Sequence, residues 1–275
     1  DNGNMLCGPI SDQENNDLGI WRSPTFADSI LFVEIRIDTR ELKKLKLILN
    51  SFSVGYLEVF HKTNNRDYGQ SDTCNVNVLC PEGIGWEQQR NSVALTQVGG
   101  TRWCSGALIN NTCNANIPYF LTANHCFDSH PNVEDWQFIF QYWSTTCPPD
   151  QDGSVSLFFN GASLKAKWEG SDFLLLQLSQ IPNYSDVYYS GWTRLNTINN
   201  ATIIHHPNGD VMKISQDYDI PIQESTTCTG YNGSEYTANC WKVNLDLGST
   251  DGGSSGSPYY NQNQKIFAQH FKKKK

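Results

Sequence analysis

The sequence has no uninterrupted apolar stretch of about 18 residues, the length that a membrane-spanning helix needs. We therefore expect no membrane span and no membrane partner. Charge is also scarce, since 17% of the residues are charged and 28 acidic residues outnumber 20 basic ones. Nucleic-acid binding requires a basic surface, so this balance argues against nucleic acid as a partner. No two cysteines have the Cys-x-x-Cys spacing of a structural zinc site, and we predict no metal.

Cysteine itself is plentiful. The chain has nine cysteines, a number that indicates an oxidising compartment and disulfide bonds. We therefore expect a secreted, extracellular protein. Because nine is odd, one thiol is free or its partner lies outside this chain. The chain begins at Asp1 and shows no signal peptide, which we interpret as a processed product or a fragment.

The first 68 residues differ in pattern from the rest. Val33, Ile35 and Ile37 alternate with charged residues, the period of a half-buried strand. Three strands are predicted in this part, within residues 30–38, 45–49 and 54–60. A polar break at residues 64–69 predicts a domain boundary. We predict a short β-rich segment over residues 1–68, too small to be stable alone, which packs on a larger domain over residues 69–275.

The larger domain shows little helical periodicity and many short apolar runs between turn residues. This spacing is typical of a β-sandwich or a pair of β-barrels. The predicted strands are Ser92–Val98, Gly106–Ile109, Tyr119–Thr122, Trp136–Tyr142, Ser154–Phe159, Phe173–Leu178 and Ala201–His205.

His125 is the first candidate for chemistry. It ends the apolar run of Thr122 and Ala123 and is followed directly by Cys126. A single histidine at a strand end is more often a hydrogen-bonded core residue than a catalytic one. A cysteine beside it changes that balance, because a bridge from Cys126 to Cys104 would hold a general base still.

Asp172 stands at the head of the apolar run Phe173–Leu178. A carboxylate at the start of a buried strand is costly unless it is hydrogen-bonded. Accepting a hydrogen bond from the Nδ1–H of a histidine would satisfy it and fix the tautomer of that histidine. A turn or cap residue at the strand start is an equally good interpretation of Asp172 alone.

Ser255 lies between two glycines in the run Gly253-Ser254-Ser255-Gly256-Ser257-Pro258. A tight turn of this kind can expose the serine hydroxyl and leave neighbouring backbone N–H groups available. We predict that the N–H groups of Gly253 and Ser255 form an oxyanion hole. The plain alternative is a flexible Gly/Ser-rich loop.

The order His, Asp, Ser and the motifs around each residue resemble the chymotrypsin-like, two-barrel serine proteases. More narrowly, the chain resembles bacterial lysyl endopeptidases and their secreted relatives from about Cys74 to Phe267. The motifs that carry this resemblance are Cys74-Asn75-Val76-Asn77-Val78-Leu79-Cys80-Pro81-Glu82-Gly83, Asn110-Asn111-Thr112, Tyr119-Phe120-Leu121-Thr122-Ala123, Ser190-Gly191-Trp192 and Ile204-His205-His206-Pro207.

The resemblance implies several features of this chain. Residues 1–68 would be the end of a propeptide, and Trp192 would contribute to the substrate pocket. Cys80 would pair with Cys147, and Cys104 with Cys126. We also infer a Cys228–Cys240 bridge, because these two cysteines bracket a turn rich in glycine and asparagine.

Two positions depart from the family pattern. Ser254 stands where trypsin has the aspartate that receives the new N-terminal ammonium after zymogen cleavage, so activation cannot use that ion pair here. Only 20 residues follow Ser255, fewer than the family needs to complete its second barrel. We therefore expect the second barrel to be incomplete. His270 and Phe271 lie near the place of a pocket histidine of the family, but the register differs by one residue.

Together these observations predict a mainly β protein with two packed antiparallel barrels, the second one truncated. The predicted function is that of a secreted, monomeric serine endopeptidase that needs no cofactor, acts on polypeptides and binds its own pro-segment. Ser255 would be the nucleophile, His125 the general base and Asp172 the orienting carboxylate. The alternative is an inactive protease fold kept for binding. A lipase or esterase is disfavoured, because those enzymes place the serine first in the chain.

Overall fold

The structure, a computed structural model, describes residues 69–271 apart from residues 101, 114, 181, 184 and 230–234, together with five isolated positions before residue 69. The strands predicted within residues 1–68 lie outside the described residues, and so do Cys7 and the four C-terminal lysines. The predicted boundary near residue 68 stays a prediction.

The described chain is mainly β, as predicted. The first sheet is built from β2 (Val93–Val98), β3 (Arg102–Ile109), β4 (Tyr119–Ala123), β5 (Gln137–Phe140), β6 (Phe158–Asn160), β7 (Ala162–Trp168) and β8 (Phe173–Leu178). The remaining strands are β1 (Val76–Asn77), β9 (Ala201–His205), β10 (Lys213–Asp217), β11 (Ile222–Thr229), β12 (Glu235–Lys242), β13 (Pro258–Tyr260) and β14 (Ile266–Gln269). The α-helices are α1 (Glu87–Arg90) and α2 (Asn124–Ser129), and short 3-10 turns cover Pro81–Gly83, Val133–Asp135, Glu169–Ser171 and Pro207–Gly209.

The first sheet is antiparallel throughout and curls on itself. Its strand order is β6-β5-β2-β3-β4-β8-β7, so β6 and β7 form the two opposite edges. These edge strands are separated in the chain by the single residue Gly161. The two edges must therefore lie close together, and the sheet must close into a barrel-like shape.

The centre of this sheet is buried on both faces. On β2, Ala94 and Val98 face the core inside the curl, where Phe120 and Phe138 also pack. Its neighbour Val93 faces the opposite way, into a second apolar cluster. Side chains alternate between the faces of a strand, so a strand covered on both sides is apolar at almost every position.

The second sheet has the order β1-β10-β9-β13-β14, with a separate hairpin formed by β11 and β12. The second cluster joins the two sheets, because Val93 and Leu121 of the first sheet pack there with Ile204 and Tyr260 of the second. This shared core fixes the position of the loops at one end of both sheets. Within the described residues no helix combines the length and the apolarity needed to span a membrane.

Most predicted strands agree with the structure to within a few residues, including Phe173–Leu178 and Ala201–His205. The strand predicted at Ser154–Phe159 starts only at Phe158. Strand β7 was not predicted; it is an edge strand with six of its seven residues exposed, and its sequence alternates between apolar and polar residues.

Two predicted disulfides are confirmed. Cys80 is bonded to Cys147, with a Cα–Cα distance of 5.1 Å, and Cys104 is bonded to Cys126 at 6.7 Å. The second bridge ties β3 to helix α2, the element that carries His125.

The predicted Cys228–Cys240 bridge does not fit the register of the β11–β12 hairpin. Cys228 lies opposite Tyr236, and Cys240 lies opposite Glu224. The two cysteines are therefore four positions apart along the hairpin, roughly 13 Å. A disulfide requires Cα atoms within about 7 Å, so the register excludes the bridge.

Candidate active site

Strand pairing brings His125 and Asp172 together. Strands β4 and β8 are antiparallel neighbours, and Ala123 at the end of β4 pairs with Phe173 at the start of β8. His125 follows two residues after Ala123, and Asp172 directly precedes Phe173. The backbone N–H of Asn124 donates to the carbonyl of Asp172 at 2.8 Å, which extends the ladder to the site.

Asp172 holds His125 through both carboxylate oxygens. Its Oδ2 lies 2.7 Å from Nδ1 of His125, and its Oδ1 accepts the backbone N–H of His125 at 2.7 Å. Asp172 is 3% exposed and adopts a left-handed backbone conformation with φ 53°. This conformation turns the carboxylate back towards helix α2, and the two donors satisfy the charge that burial would otherwise make costly.

Ser255 completes a row of three side chains. Its Oγ lies 2.8 Å from Nε2 of His125. The structure thus brings together the nucleophile, base and carboxylate predicted from the sequence, and it does so across the junction of the two sheets. The imidazole is about one-third exposed, so the reacting end of the row is open to a substrate.

The loop of Ser255 docks tightly on the first sheet. The carbonyl of Ser255 accepts the backbone N–H of Ser105 at 2.8 Å. Gly256 has φ +84°, and a Cβ atom there would lie 2.2 Å from Oγ1 of Thr122 and 2.4 Å from the carbonyl oxygen of Ser105. Only glycine fits this approach, so Gly256 fixes the distance between the serine loop and strand β4.

Gly253 occupies the place predicted for the oxyanion hole. It has φ +90°, and a Cβ atom there would lie 2.7 Å from the carbonyl oxygen of His206. Within the described part of the chain, the backbone N–H groups of Gly253 and Ser255 donate to no protein acceptor. Both groups are therefore available to a negatively charged oxygen.

A hydrogen-bonded network under this loop was not predicted. The Ser254 hydroxyl is fully buried and lies 2.8 Å from Nδ1 of His205, whose Nε2 lies 3.1 Å from Oγ of Ser215. Ser254 Oγ also accepts the backbone N–H of Asp251 at 3.2 Å, and Ser215 Oγ donates to the carbonyl of Ser249 at 3.3 Å.

Burial lowers the pKa of His205 well below its usual value, with a smaller contribution from the neighbouring His270. The ring is therefore neutral, and one proton pattern satisfies the whole network: Ser254 donates to Nδ1, and the Nε2–H donates to Ser215. His205 thus supports Ser254 where trypsin has an aspartate. The sequence around His205 does not indicate that it is hydrogen-bonded to Ser254.

The C-terminal end of β14 forms one side of the site. His270 is buried, and burial, followed by the nearby His125, lowers its pKa to about 4. Its backbone is bonded to the serine loop, since Gly256 donates to the carbonyl of His270 at 2.9 Å. The ring of Phe271 contacts the imidazole of His125. Gln269 donates its side-chain amide to the carbonyl of Asp172.

Trp192 is not brought to these residues. It pairs with Ile266 at the far end of β14, and its indole Nε1 donates to the carbonyl of Asn110 at 2.8 Å. Five residues, roughly 16 Å of extended chain, separate Ile266 from Phe271. Its predicted part in substrate binding stays a prediction.

Carboxylates close enough to hold a cation occur at Asp217, Asp219 and Asp246. Two of these carboxylates accept backbone N–H groups. Asp217 accepts the N–H of Asp219 at 3.0 Å, and Asp246 accepts the N–H of Tyr218 at 2.8 Å. These bonds explain the cluster as a turn structure. The imidazole nitrogens of His205 lie beside the hydroxyls of Ser254 and Ser215.

Comparison with known proteins identifies the family. The family model described as lysyl endopeptidase, C-terminal domain, matches residues 68–271. The chain belongs to the lysyl endopeptidase family. A lysyl endopeptidase of Pseudomonas aeruginosa is 29% identical over 266 residues, which cover 90% of this chain and 55% of that protein. This chain therefore spans about half the length of that relative.

Solved structures similar to this member of the lysyl endopeptidase family include the Rv3671c protease of M. tuberculosis. Its active form aligns with a TM-score of 0.47 and 12% identity, covering 80% of this chain and 81% of the other. Its inactive form aligns with a TM-score of 0.44 and 13% identity, covering 72% of this chain and 84% of the other.

Proposed function

We propose that this protein is a secreted serine endopeptidase that hydrolyses peptide bonds through an acyl-enzyme. The observation that carries the proposal is the row from Asp172 through His125 to Ser255, with contacts of 2.7 and 2.8 Å. Membership of the lysyl endopeptidase family supports it, and the two disulfides support an oxidising, extracellular location.

In the proposed mechanism each of these residues has one step. His125 Nε2 accepts the proton of Ser255 Oγ as the hydroxyl attacks the substrate carbonyl. Asp172 keeps Nδ1 protonated and stabilises the imidazolium that forms. The carbonyl oxygen becomes negatively charged and accepts from the N–H groups of Gly253 and Ser255. His125 then gives its proton to the leaving amine as the C–N bond breaks. Water next attacks the acyl carbon while His125 takes its proton, the bond from the acyl carbon to Ser255 Oγ breaks, and His125 returns the proton to Oγ.

For specificity, we propose cleavage after lysine or another basic residue. The support is the name shared by the family and the relative of P. aeruginosa. A set of peptides that differ only in the residue before the scissile bond tests this. Lysine or arginine there should raise kcat/KM at least tenfold over alanine, and equal rates for all of them contradict the preference.

The experiment for the activity is active-site labelling. A fluorophosphonate probe should react with the folded protein, and peptide mapping should find the adduct on Ser255. The Ser255→Ala variant, checked for the same circular dichroism spectrum, should not be labelled. Ser257→Ala is the matched control, because it removes a neighbouring buried hydroxyl and leaves the nucleophile in place.

Absence of labelling in a folded sample would refute the peptidase proposal. Ser255→Ala and the parent protein would then behave identically towards peptides, which is the result expected for the alternative, an inactive protease fold that binds a partner.

A further inference from the structure

Asp210 is a buried carboxylate at the end of the turn Pro207–Gly209, and it is 1% exposed. Both of its oxygens lie 3.1 Å from the backbone nitrogen of Gly69. Its Oδ2 also accepts the N–H of Ser71 at 3.1 Å and the hydroxyl of Ser71 at 2.6 Å, and its Oδ1 accepts the N–H of Val211 at 2.7 Å. Asp210, which is far away in the sequence, therefore binds Gly69 and Ser71 at the start of the continuous described chain.

Among the described residues, the ion pair that this carboxylate forms is a long one. The amine of Lys213, also buried, lies 3.7 Å from Oδ2 of Asp210. A charge-assisted hydrogen bond between these groups is normally about 2.7–2.9 Å long. Gly69, whose N–H both oxygens of Asp210 accept, is exposed. Ser71 and Val211 supply three further donors, and at Gly69 the two carboxylate oxygens share one neutral amide N–H.

We propose that Asp210 is the binding site for a free α-ammonium group at Gly69, created by cleavage of the Tyr68–Gly69 bond. The inference rests on the proposed function, because it concerns activation of the same site. In the cleavage, water adds across the amide and the C–N bond breaks. Tyr68 keeps the carboxylate, and the nitrogen of Gly69 becomes an amine that takes up a proton.

The chemical class of the cleaving agent is an endopeptidase, either a second copy of this protein or another protease. At neutral pH the new amine is charged, since an α-amino group has a pKa of about 8. The product offers three N–H donors and a positive charge where the uncleaved chain offers one neutral N–H. Cleavage therefore strengthens the contact with Asp210.

The turn that ends at Asp210 touches the oxyanion loop. The backbone N–H of Asn208 donates to the carbonyl of Gly252, and the side-chain amide of Asn208 donates to the carbonyl of Gln70 at 3.0 Å. The α-carbon of Gly253 lies so near the turn that a Cβ atom there would meet the carbonyl of His206. A shift of this turn would therefore move the N–H of Gly253.

A second contact ties the same segment to the other side of the loop. Asn75 accepts the backbone N–H of Ser249 at 3.2 Å, and its side-chain amide lies 3.5 Å from a carboxylate oxygen of Asp251. Residues 69–75 thus bridge the turn at Asp210 and the approach to Ser255. Asp210 acts as a positioning residue, and it does so from a place in the sequence unrelated to that of Ser254.

The test uses two full-length precursors with a site for a sequence-specific processing protease placed before Gly69. Cleavage of the first leaves Gly69 as the terminus, and cleavage of the second leaves one additional alanine before it. We expect the fluorophosphonate to label Ser255 at least tenfold faster in the first product than in the second. Asp210→Asn in the first product should remove this advantage, and Asp219→Asn, a matched loss of one exposed carboxylate, should keep it.

A readout independent of catalysis separates this inference from the proposed function. In a Ser255→Ala background, the α-amine of Gly69 should react with labelled acetic anhydride at least tenfold more slowly than in the Asp210→Asn variant. Equal acylation rates, or equal labelling of the two products that differ by one alanine, would overturn the inference. Protection of the amine without any labelling of Ser255 would retain the ammonium site and refute the peptidase.

Discussion

The phenyl ring of Phe271 meets the imidazole of His125 edge to face, with ring centroids 6.2 Å apart and planes at 76°. Such a contact contributes about 0.5–1.5 kcal/mol. Phe271→Ala should therefore lower kcat by about 2- to 10-fold, because the base loses a neighbour that restricts its ring. Phe271→Tyr keeps the ring and should retain most of the activity. Steady-state kinetics on one peptide substrate compare the variants, and equal losses for alanine and tyrosine would contradict a role of the ring.

Asp172→Asn should leave the fold intact and reduce kcat by a factor on the order of 10⁴. The amide can no longer keep Nδ1 of His125 protonated with Nε2 free to accept the serine proton. Stopped-flow labelling of Ser255 and steady-state turnover measure this loss. Asp186→Asn, a change at a partly exposed carboxylate away from the site, is the control. A loss below tenfold at Asp172 would argue against its assigned role.

Gly253→Ala should reduce kcat by about 10²–10³, the effect of losing one oxyanion donor. The added methyl would lie 2.7 Å from the carbonyl of His206, and φ +90° is unfavourable for alanine. Gly252→Ala is a close control, since its methyl would meet only Oδ1 of Asn208, at 3.6 Å. If both variants kept full turnover, the oxyanion hole would have to lie elsewhere.

The fold should lose stability as the pH falls from about 6.5 towards 4. Burial lowers the pKa of His206 and of His270 to about 4, below the value of about 6.5 in an unfolded chain. The unfolded state then binds more protons, so the stability is complete above pH 6.5 and decreases below it. At pH 5 the loss should be about 2 kcal/mol for each histidine.

Urea unfolding at pH 7.5 and pH 5 measures this dependence. His270→Asn should reduce the difference between the two pH values, and His130→Gln, at the half-exposed surface, should not. A stability that is the same at both pH values would contradict neutral burial of these rings.

Removing the Cys104–Cys126 bridge with a double alanine substitution should lower the free energy of unfolding by about 3 kcal/mol, from the loop of 22 residues that it closes. It should also raise the mobility of helix α2 and so slow the labelling of Ser255. Thermal unfolding and probe kinetics are the measurements. A loss of stability with unchanged labelling would show that the bridge does not position His125.

The motifs around His125, Asp172 and Ser255 could be found in the sequence because each chemical role demands a residue type in a restricted local setting. That Asp172 lies beside His125 then follows from the pairing of β4 with β8, which two apolar strands ending at the candidate residues make plausible. Contacts between side chains that are far apart in the sequence depend on the order of the strands in the sheet. The sequence predicted them only through its resemblance to the chymotrypsin-like serine proteases.

Other features left no local pattern. The hydrogen bond between His205 and Ser254 joins residues 49 positions apart in the chain. The sequence alone does not distinguish a buried histidine from an exposed one. The Cys228–Cys240 bridge was wrongly expected because cysteine spacing alone does not fix the register of a hairpin. Strand β7 was not predicted, although its residues alternate between apolar and polar; six of its seven residues are exposed.

His125 and Asp172 lie at the ends of neighbouring strands of the first sheet, and Ser255 lies in the loop that leads into the second. An apolar cluster shared by the two sheets lies between them. A slight parting of the two halves would therefore separate the reacting atoms before either half melted. Under mild denaturant, hydrolysis should stop while the circular dichroism signal of the strands persists. The rate of hydrolysis would then report on the packing between the two sheets.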